Sequence, residues 1–465
     1  MTMWTPDLSE RTGPRYLAIA DALADDISKG AVTAGTRLPT HRELAYQLGV
    51  TVGTVSRAYA AAEQRGLTYG EVGRGTFVRG EAGPDGDGTG FFSSFDVDTN
   101  QIDFGPNMSP PGDRRNYLSA ALAEISTQPG LDELLAYETA GGHPAHRQAM
   151  AEAAAYFGMT TTAERITICT GAQHAVTSAL MAVTRPGDTL AVEAVTYPAV
   201  KGLAAHLGLK LEPLPIDTDG IMPEAFEKLC QARPPKALYC LPTLHNPTTA
   251  IMPFERRRAI AEIARRHGVA ILEDDVMGYL LEDLPPPIAM IAPEITYFIS
   301  GVSKCFAPGL RAGLVIAPEG KSEGVRTAVN LTSWMAPPLM LEVVRLWLGN
   351  GTGAELIAWH KREVAGRQQI FRAAFDANMI DSHPGSYHIW LKLPDPWRAN
   401  EFADQAKREG VTILPAETFA TGRGRIPEAV RICLGAPKNR DAVARGAEIL
   451  AGLLHENERI TRPVF

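Results

Sequence analysis

From Glu81 to Gly90 the chain reads Glu-Ala-Gly-Pro-Asp-Gly-Asp-Gly-Thr-Gly, with four glycines, one proline and no large apolar side chain. Such a stretch cannot bury enough apolar surface to offset the entropy of ordering it, so it connects rather than folds. The 465 residues therefore split into a short and a long part, and one core running through both is excluded. The patterning predicts a domain at residues 10–80, a flexible linker at 81–101 and a second domain at 102–465.

The split changes how charge is read. Taken whole, 45 basic and 53 acidic side chains give a net −8, which argues against a nucleic-acid binder. Residues 1–80 nevertheless sum to +1, with six arginines against three glutamates in 37–79, and the remaining residues hold −9. The acidity belongs to the long part. The five cysteines (169, 230, 240, 305 and 433) are scattered with no C-x-x-C pair, which predicts a reducing cytoplasm and no metal site. No apolar run approaches the roughly 18 residues of a membrane span, and the start lacks a basic and apolar leader, so neither anchoring nor export is expected.

In the short part, Tyr16, Leu17, Ile19, Ala20, Leu23, Ala24 and Ile27 recur at helical spacing and predict a helix ending near Gly30. Thr40 and Glu43 form a capping box for a second helix through Leu48. After a tight turn at Gly49-Val50, Thr51 caps a third helix, with Val55, Ala58, Tyr59 and Ala62 on one side and a stop at Gly66. Two strand-like pieces, Leu67–Tyr69 and Thr76–Val78, then flank a glycine-containing turn. The order is helix, helix-turn-helix, two-stranded wing.

Reading a major groove takes a short helix, a crossing support helix and side chains that reach phosphates and base edges. Thr51, Thr54 and Arg57 supply them on the third helix, Arg42 opens the support helix, and Arg74 and Gly75 belong to the wing tip. A purely structural three-helix unit with solvated arginines fits the charge equally well. The motifs Tyr16-Leu-x-Ile-Ala, Gly35-Thr-Arg-Leu-Pro39, Arg42-Glu-Leu-Ala45, Leu48-Gly-Val50, Thr54-Val-x-Arg57 and Gly73-Arg-Gly-Thr-Phe77 resemble the winged helix-turn-helix of the GntR family. That resemblance implies binding to double-stranded operator DNA. Where many members carry arginine at the start of the recognition helix, this chain has Val52-Gly53, so readout would lean on Thr51, Thr54 and apolar contact.

In the long part, Ile166–Cys169, Thr189–Val192, Ala237–Leu241, Val269–Leu272 and Tyr297–Ile299 read as buried strands. Helical patterns between them, such as Phe254–His267, predict an α/β domain with a mainly parallel sheet. Beyond about residue 380, half-buried strands at Tyr387–Leu393, Val411–Leu414 and Val430–Leu434 and a helix at Ala442–Leu454 predict a smaller α+β lobe.

The strand ends carry five features in one chain order. A glycine turn before a helix points the amides of Ala172 and Gln173 at an anion. Tyr197 offers a stacking ring, Asn246 a donor to an aromatic hydroxyl, and Asp274 a carboxylate in the usual ligand crevice of an α/β sheet. Ser303 and Lys304 follow a buried strand, with Arg311 seven residues beyond the lysine. Each alone has a plain reading as a turn, a rim tyrosine or a solvated lysine. Together they supply what a phosphate-bearing aldehyde such as pyridoxal 5'-phosphate requires.

In order and spacing, the chain from Ile102 onward resembles a fold-type I aminotransferase, a family of pyridoxal 5'-phosphate-dependent transferases. The resemblance implies that Lys304 forms the Schiff base, Asp274 pairs with the pyridinium and Asn246 bonds the ring hydroxyl. Tyr197 would stack, and Ala172, Gln173, Ser303 and Arg311 would hold the phosphate. Tyr137 resembles the tyrosine that reaches the partner subunit's phosphate, and Arg431 the arginine that grips an effector carboxylate. Val276-Met277 stand where the family places a tyrosine, and Gly301 where it places serine or threonine, losses that favour a sensor over an efficient catalyst.

The two halves together resemble the MocR/GabR-type subgroup of GntR regulators. This implies a cytoplasmic, homodimeric, head-to-tail transcriptional regulator, with no membrane partner, in which an amine or amino-acid effector displaces Lys304 by transaldimination. A working aminotransferase with an appended DNA-binding module is the alternative.

Overall fold

The computed structural model describes residues 4–8, 14–28, 31–32, 36–64, 67–71, 75–78, 101–139, 141–422, 424 and 426–461. The chain divides into two compact units, Met1–Ser93 and Ser94–Phe465. The expected linker, apart from Gln101, and Arg74 of the expected wing tip lie outside the described residues.

In the first unit, α1 (Arg15–Ser28), α2 (His41–Leu48) and α3 (Val52–Gln64) enclose Ile19, Leu23, Leu44, Val55, Ala58 and Tyr59. Trp4 joins this core, and its indole donates to Asp26 Oδ2 at 2.9 Å. Both halves of the capping box form: the Thr40 amide donates to Glu43 Oε2 at 2.8 Å and the Glu43 amide to Thr40 Oγ1 at 3.3 Å. Helix α2 closes at Gly49, whose φ of 62° favours a residue without a Cβ. The wing pairs β1 (Thr68–Glu71) antiparallel with β2 (Gly75–Val78), and Leu38 and Val78 tie it to the segment before α2.

The second unit is built on a seven-stranded sheet in the order β4-β12-β11-β10-β9-β5-β6. Its strands are β4 (Ile166–Thr170), β5 (Thr189–Glu193), β6 (Lys210–Leu214), β9 (Ala237–Cys240), β10 (Ala270–Asp274), β11 (Thr296–Gly301) and β12 (Ala312–Ile316). Between β6 and β9 lies a two-residue hairpin of β7 (Ile216–Asp217) and β8 (Gly220–Ile221). Only β12 runs antiparallel to its neighbours in the large sheet, so the expectation of a mainly parallel sheet holds. Strands β6 and β12 are additions to the sequence reading. Half-buried Lys-Leu-Glu-Pro-Leu at β6 presents no continuous apolar run, and β12 is an antiparallel return with only a 3-10 turn, Pro308–Leu310, between it and β11.

The smaller lobe has a four-stranded antiparallel sheet, β13 (Ile380–Asp381), β14 (His388–Lys392), β17 (Ala429–Cys433) and β16 (Leu414–Pro415). Two details correct the sequence reading. Strands β14 and β17 are buried on both faces rather than half-buried, because helices of the lobe cover one side and the large domain the other. The single strand expected at Val411–Leu414 breaks in two: β15 (Val411–Thr412) pairs parallel with β3 (Ile102–Asp103), and β16 pairs with β17. The chain changes partner at Ile413, which stays buried. The terminal helix runs longer than expected, Arg440–Thr461.

Candidate functional site

Because β4, β5, β9, β10 and β11 are parallel, their carboxyl ends lie at one edge of the sheet, where ligands of α/β proteins collect. That edge gathers Gly171 after β4, Tyr197 after β5, Asn246 after β9, Asp274 at the end of β10, and Ser303 and Lys304 after β11. Antiparallel β12 begins at the same edge, directly after Arg311. The topology of this sheet thus brings together the sequence-predicted cofactor residues other than Tyr137, while Arg431 comes from the sheet of the smaller lobe.

Lys304 is half-buried, and burial, reinforced by the Arg431 charge, lowers its pKa to about 8 despite the nearby Asp274 carboxylate. Its Nζ donates to the Asn107 carbonyl. Asp274 is buried, which pushes its pKa up to about 7. The Tyr239 hydroxyl donates to its Oδ2 at 2.6 Å, while Oδ1 has no hydrogen-bond partner. Asn246 Oδ1 accepts from Arg431 Nη1 at 2.9 Å, leaving the amide NH2 of Asn246 to donate elsewhere. The Tyr197 hydroxyl donates to Gln173 Oε1 at 3.3 Å, and burial raises its pKa.

The glycine turn has the geometry of an anion cradle. Gly171 has φ 82°, the Ala172–Val183 helix begins immediately after it, and its first amides have no intrahelical acceptor. Arg311 lies over this turn, donating to the Thr170 carbonyl at 2.9 Å. The buried Thr170 and Ser303 hydroxyls have no partner. Unpaired buried hydroxyls beside open helix amides and a guanidinium fit a phosphate, and the unpartnered Asp274 Oδ1 fits a protonated ring nitrogen. The residues present therefore fit pyridoxal 5'-phosphate.

Both departures from the expected pattern have structural reasons. At Gly301 a Cβ would lie 3.0 Å from the Ala312 carbonyl oxygen and 3.3 Å from the Ala172 amide nitrogen, so β11 packs tightly against the turn there. Val276 packs against the apolar core and brings no hydroxyl to the ring side of the cleft.

Arg431 is fully buried in β17, and burial lowers its pKa to about 10. It bonds Asn246 and the Gly105 carbonyl and lies 4.8 Å from the centre of the Phe419 ring. Sequence reasoning missed Tyr239, Gly105, Asn107 and Phe419. Tyr239 looked like another apolar strand residue, and a backbone carbonyl leaves no mark in a sequence.

Tyr137 stands apart from this cluster on the surface, 82% exposed, with its ring 5.6 Å from that of Trp334. A cavity of about 610 Å³ adjoins it, bordered by Leu131, Glu138, His146, Glu342 and Arg345. In the first unit, Arg42, Thr51 and Arg57 are exposed, Thr54 is half-buried, and the Thr51 hydroxyl accepts from the Thr54 amide at 3.2 Å. Gly75 opens β2.

Residues 99–450 match the aminotransferase class I and II family, and residues 15–78 match the GntR family of bacterial regulatory proteins. Over 97% of both chains, the sequence is 30% identical to the uncharacterized HTH-type transcriptional regulator YdeF of Bacillus subtilis. The chain belongs to the MocR/GabR-type regulators. Another regulator like it is the vitamin B6 salvage pathway transcriptional repressor PtsJ of Salmonella typhimurium, 27% identical over 86% of this chain and 90% of that one. MocR of Rhizobium meliloti, a probable rhizopine catabolism regulatory protein, is 25% identical over 79% and 78%. An archaeal alanine:glyoxylate aminotransferase shares the fold of the second unit, with a TM-score of 0.70 and 23% identity over 77% of this chain and 91% of that one. A DNA-binding helix-turn-helix domain thus precedes an aminotransferase-like domain. Among the described residues no helix is long and apolar enough to cross a membrane.

Proposed function

We propose that this regulator is a cytoplasmic homodimer that binds pyridoxal 5'-phosphate and operator DNA and senses a small amine or amino acid. The observation that carries the reading is Lys304, a lysine with a lowered pKa beside a buried Asp274 that keeps one oxygen free, in a chain that also holds a GntR-type domain. Residues 10–80 bind DNA, 81–101 connect, and 102–465 sense. When bound, pyridoxal 5'-phosphate supplies an electrophilic aldehyde carbon that one amine after another can occupy.

The chain's own residues do the rest. Lys304, whose pKa burial lowers to about 8, would hold that carbon and give it up to a ligand amine. Asp274 Oδ1 accepts from the ring nitrogen while Tyr239 keeps the carboxylate turned towards it. The Asn246 amide donates to the ring hydroxyl and Tyr197 stacks on the ring. Ala172, Gln173, Ser303 and Arg311, joined by the Thr170 hydroxyl, hold the phosphate. Arg431 takes the effector's carboxylate, and Arg42, Thr51, Thr54, Arg57, Arg74 and Gly75 meet the duplex. The missing hydroxyls at Val276 and Gly301 support sensing rather than turnover.

A second copy, packed head to tail, completes the assembly. Leu135, Tyr137, Leu331 and Trp334 are 77, 82, 74 and 53% exposed, and the Tyr137 and Trp334 rings lie 5.6 Å apart, apolar surface that a second copy would cover. Tyr137 would cross this interface to the partner's phosphate. The vitamin B6 role in the name of the related PtsJ supports the cofactor.

Titrating the cofactor-loaded protein with a panel of amines and amino acids tests the reading. An absorbance change specific to one compound class, absent in Lys304→Ala, is expected. Sustained turnover with amino donors and 2-oxo acids would instead show a working aminotransferase, and no Lys304-dependent change on adding pyridoxal 5'-phosphate would remove the cofactor.

A further inference from the structure

Residues 102–108 form a strap that engages two cations of the site, Lys304 and Arg431. At its start the Ile102 and Phe104 amides donate to the Gly410 and Thr412 carbonyls, each at 2.8 Å, and the Cys433 amide donates to the Phe104 carbonyl at 2.8 Å. The chain then gives the Gly105 carbonyl to Arg431 Nη2 and the Asn107 carbonyl to Lys304 Nζ. The Met108 amide donates to Cys433 Sγ at 3.4 Å. The fit is close: at Gly435 a Cβ would come within 2.8 Å of the Met108 carbonyl carbon.

Arg431 is fully buried, so its guanidinium must find acceptors inside the protein, and Gly105 and Asn246 provide them. A ligand carboxylate therefore enters a position already taken. It can win it, because a charged acceptor with two oxygens matches the guanidinium fork better than a neutral carbonyl. Asn107 likewise loses its donor once Lys304 is bonded to the cofactor.

We propose that residues 104–108 are an internal competitor of the effector, released in two steps: the cofactor takes Lys304 from Asn107, and an effector carboxylate takes Arg431 from Gly105. Ligands bearing both an amine and a carboxylate then free the strap. A plain amine occupies the cofactor but leaves Arg431 on Gly105, so it binds without a response. This rests on the cofactor reading above and assigns the ligand class and the regulation of that site.

Hydrogen exchange on the full-length, cofactor-loaded protein tests it, with absorbance read on the same samples. The probes are L-alanine and β-alanine against ethylamine, which is either amino acid without its carboxylate. The amino acids should alter absorbance and speed exchange of the peptide covering 102–108 by about tenfold or more, while ethylamine alters absorbance alone. Altered absorbance with unchanged exchange for the amino acids overturns the proposal, as does equal release by ethylamine. If adding pyridoxal 5'-phosphate gives no Lys304-dependent absorbance, the cofactor reading fails instead; in that case, or if no probe alters absorbance, Arg431→Gln decides about the strap. Without any ligand this variant should exchange faster across 102–108 by a similar factor, and unchanged exchange overturns the proposal. Should Arg431→Gln not fold, Gly435→Ala, which crowds Met108, is held to the same two outcomes.

Discussion

A lysine whose ammonium is half-buried meets a different solvent from one at the surface, and Lys304 titrates accordingly. Burial moves its pKa to about 8, whereas an exposed lysine titrates near 10.4. Only the neutral amine attacks a carbonyl, so the rate of cofactor capture should rise with pH, reach half its maximum at about pH 8 and level off about a unit higher. Stopped-flow absorbance across that range would show it, and a rate still climbing tenfold per pH unit at about pH 9.5 would contradict the burial argument. Lys304, Asp274 and Asn246 were legible in the sequence because each ends an apolar run, where a polar side chain is conspicuous. Tyr239 was not, since an aromatic within Ala-Leu-Tyr-Cys reads as core until the register sets it beside Leu272 on the strand that ends at Asp274. The bonds to Gly105 and Asn107 were illegible for a plainer reason, that every residue type carries the same carbonyl.

Elements matter here mainly through how closely they approach one another. Strand β12 passes the turn after β4 so tightly that a Cβ at Gly313 would lie 2.6 Å from the Gly171 carbonyl oxygen and 2.8 Å from the Ala172 amide nitrogen. Gly313→Ala must push the strand off the turn, and the amides of Ala172 and Gln173 move with it. We expect cofactor affinity to fall by about tenfold or more, the scale of a 1–3 kcal/mol overpacking strain. Gly309→Ala, where a Cβ meets nothing within 4 Å, should leave affinity unchanged, and spectral titration of the two variants separates a local clash from a general loss of stability. The order of buried strands was readable from apolar runs, and the capping box of α2 from two residue types three apart. The fracture of Val411–Leu414 was not readable: both halves are extended and apolar, and the change of partner depends on β3, some three hundred residues away in sequence.

At the scale of the molecule, the question is how a domain with a net charge of only +1 holds DNA when the rest of the chain carries −9. Two copies on one operator double the phosphate contacts without changing either domain, and salt dependence counts those contacts. The logarithm of affinity falls with the logarithm of salt by about 0.9 for each phosphate neutralised. Arg42 is exposed at the start of α2, so replacing it removes one such contact from each DNA-binding domain bound. If the regulator binds as the proposed dimer, Arg42→Ala should lessen the slope by about 1.8, and if a single domain binds, by about 0.9. Leu135→Glu places a charge on the exposed apolar surface that the dimer would cover, so it should lower the sedimenting mass by half and bring the Arg42 effect down to the smaller value. An Arg42→Ala slope equal to that of the parent would show that Arg42 does not touch phosphate. A change near 1.8 in both backgrounds would show that the apolar surface around Tyr137 is not what joins two copies on DNA, and a change near 0.9 in both that a single domain binds.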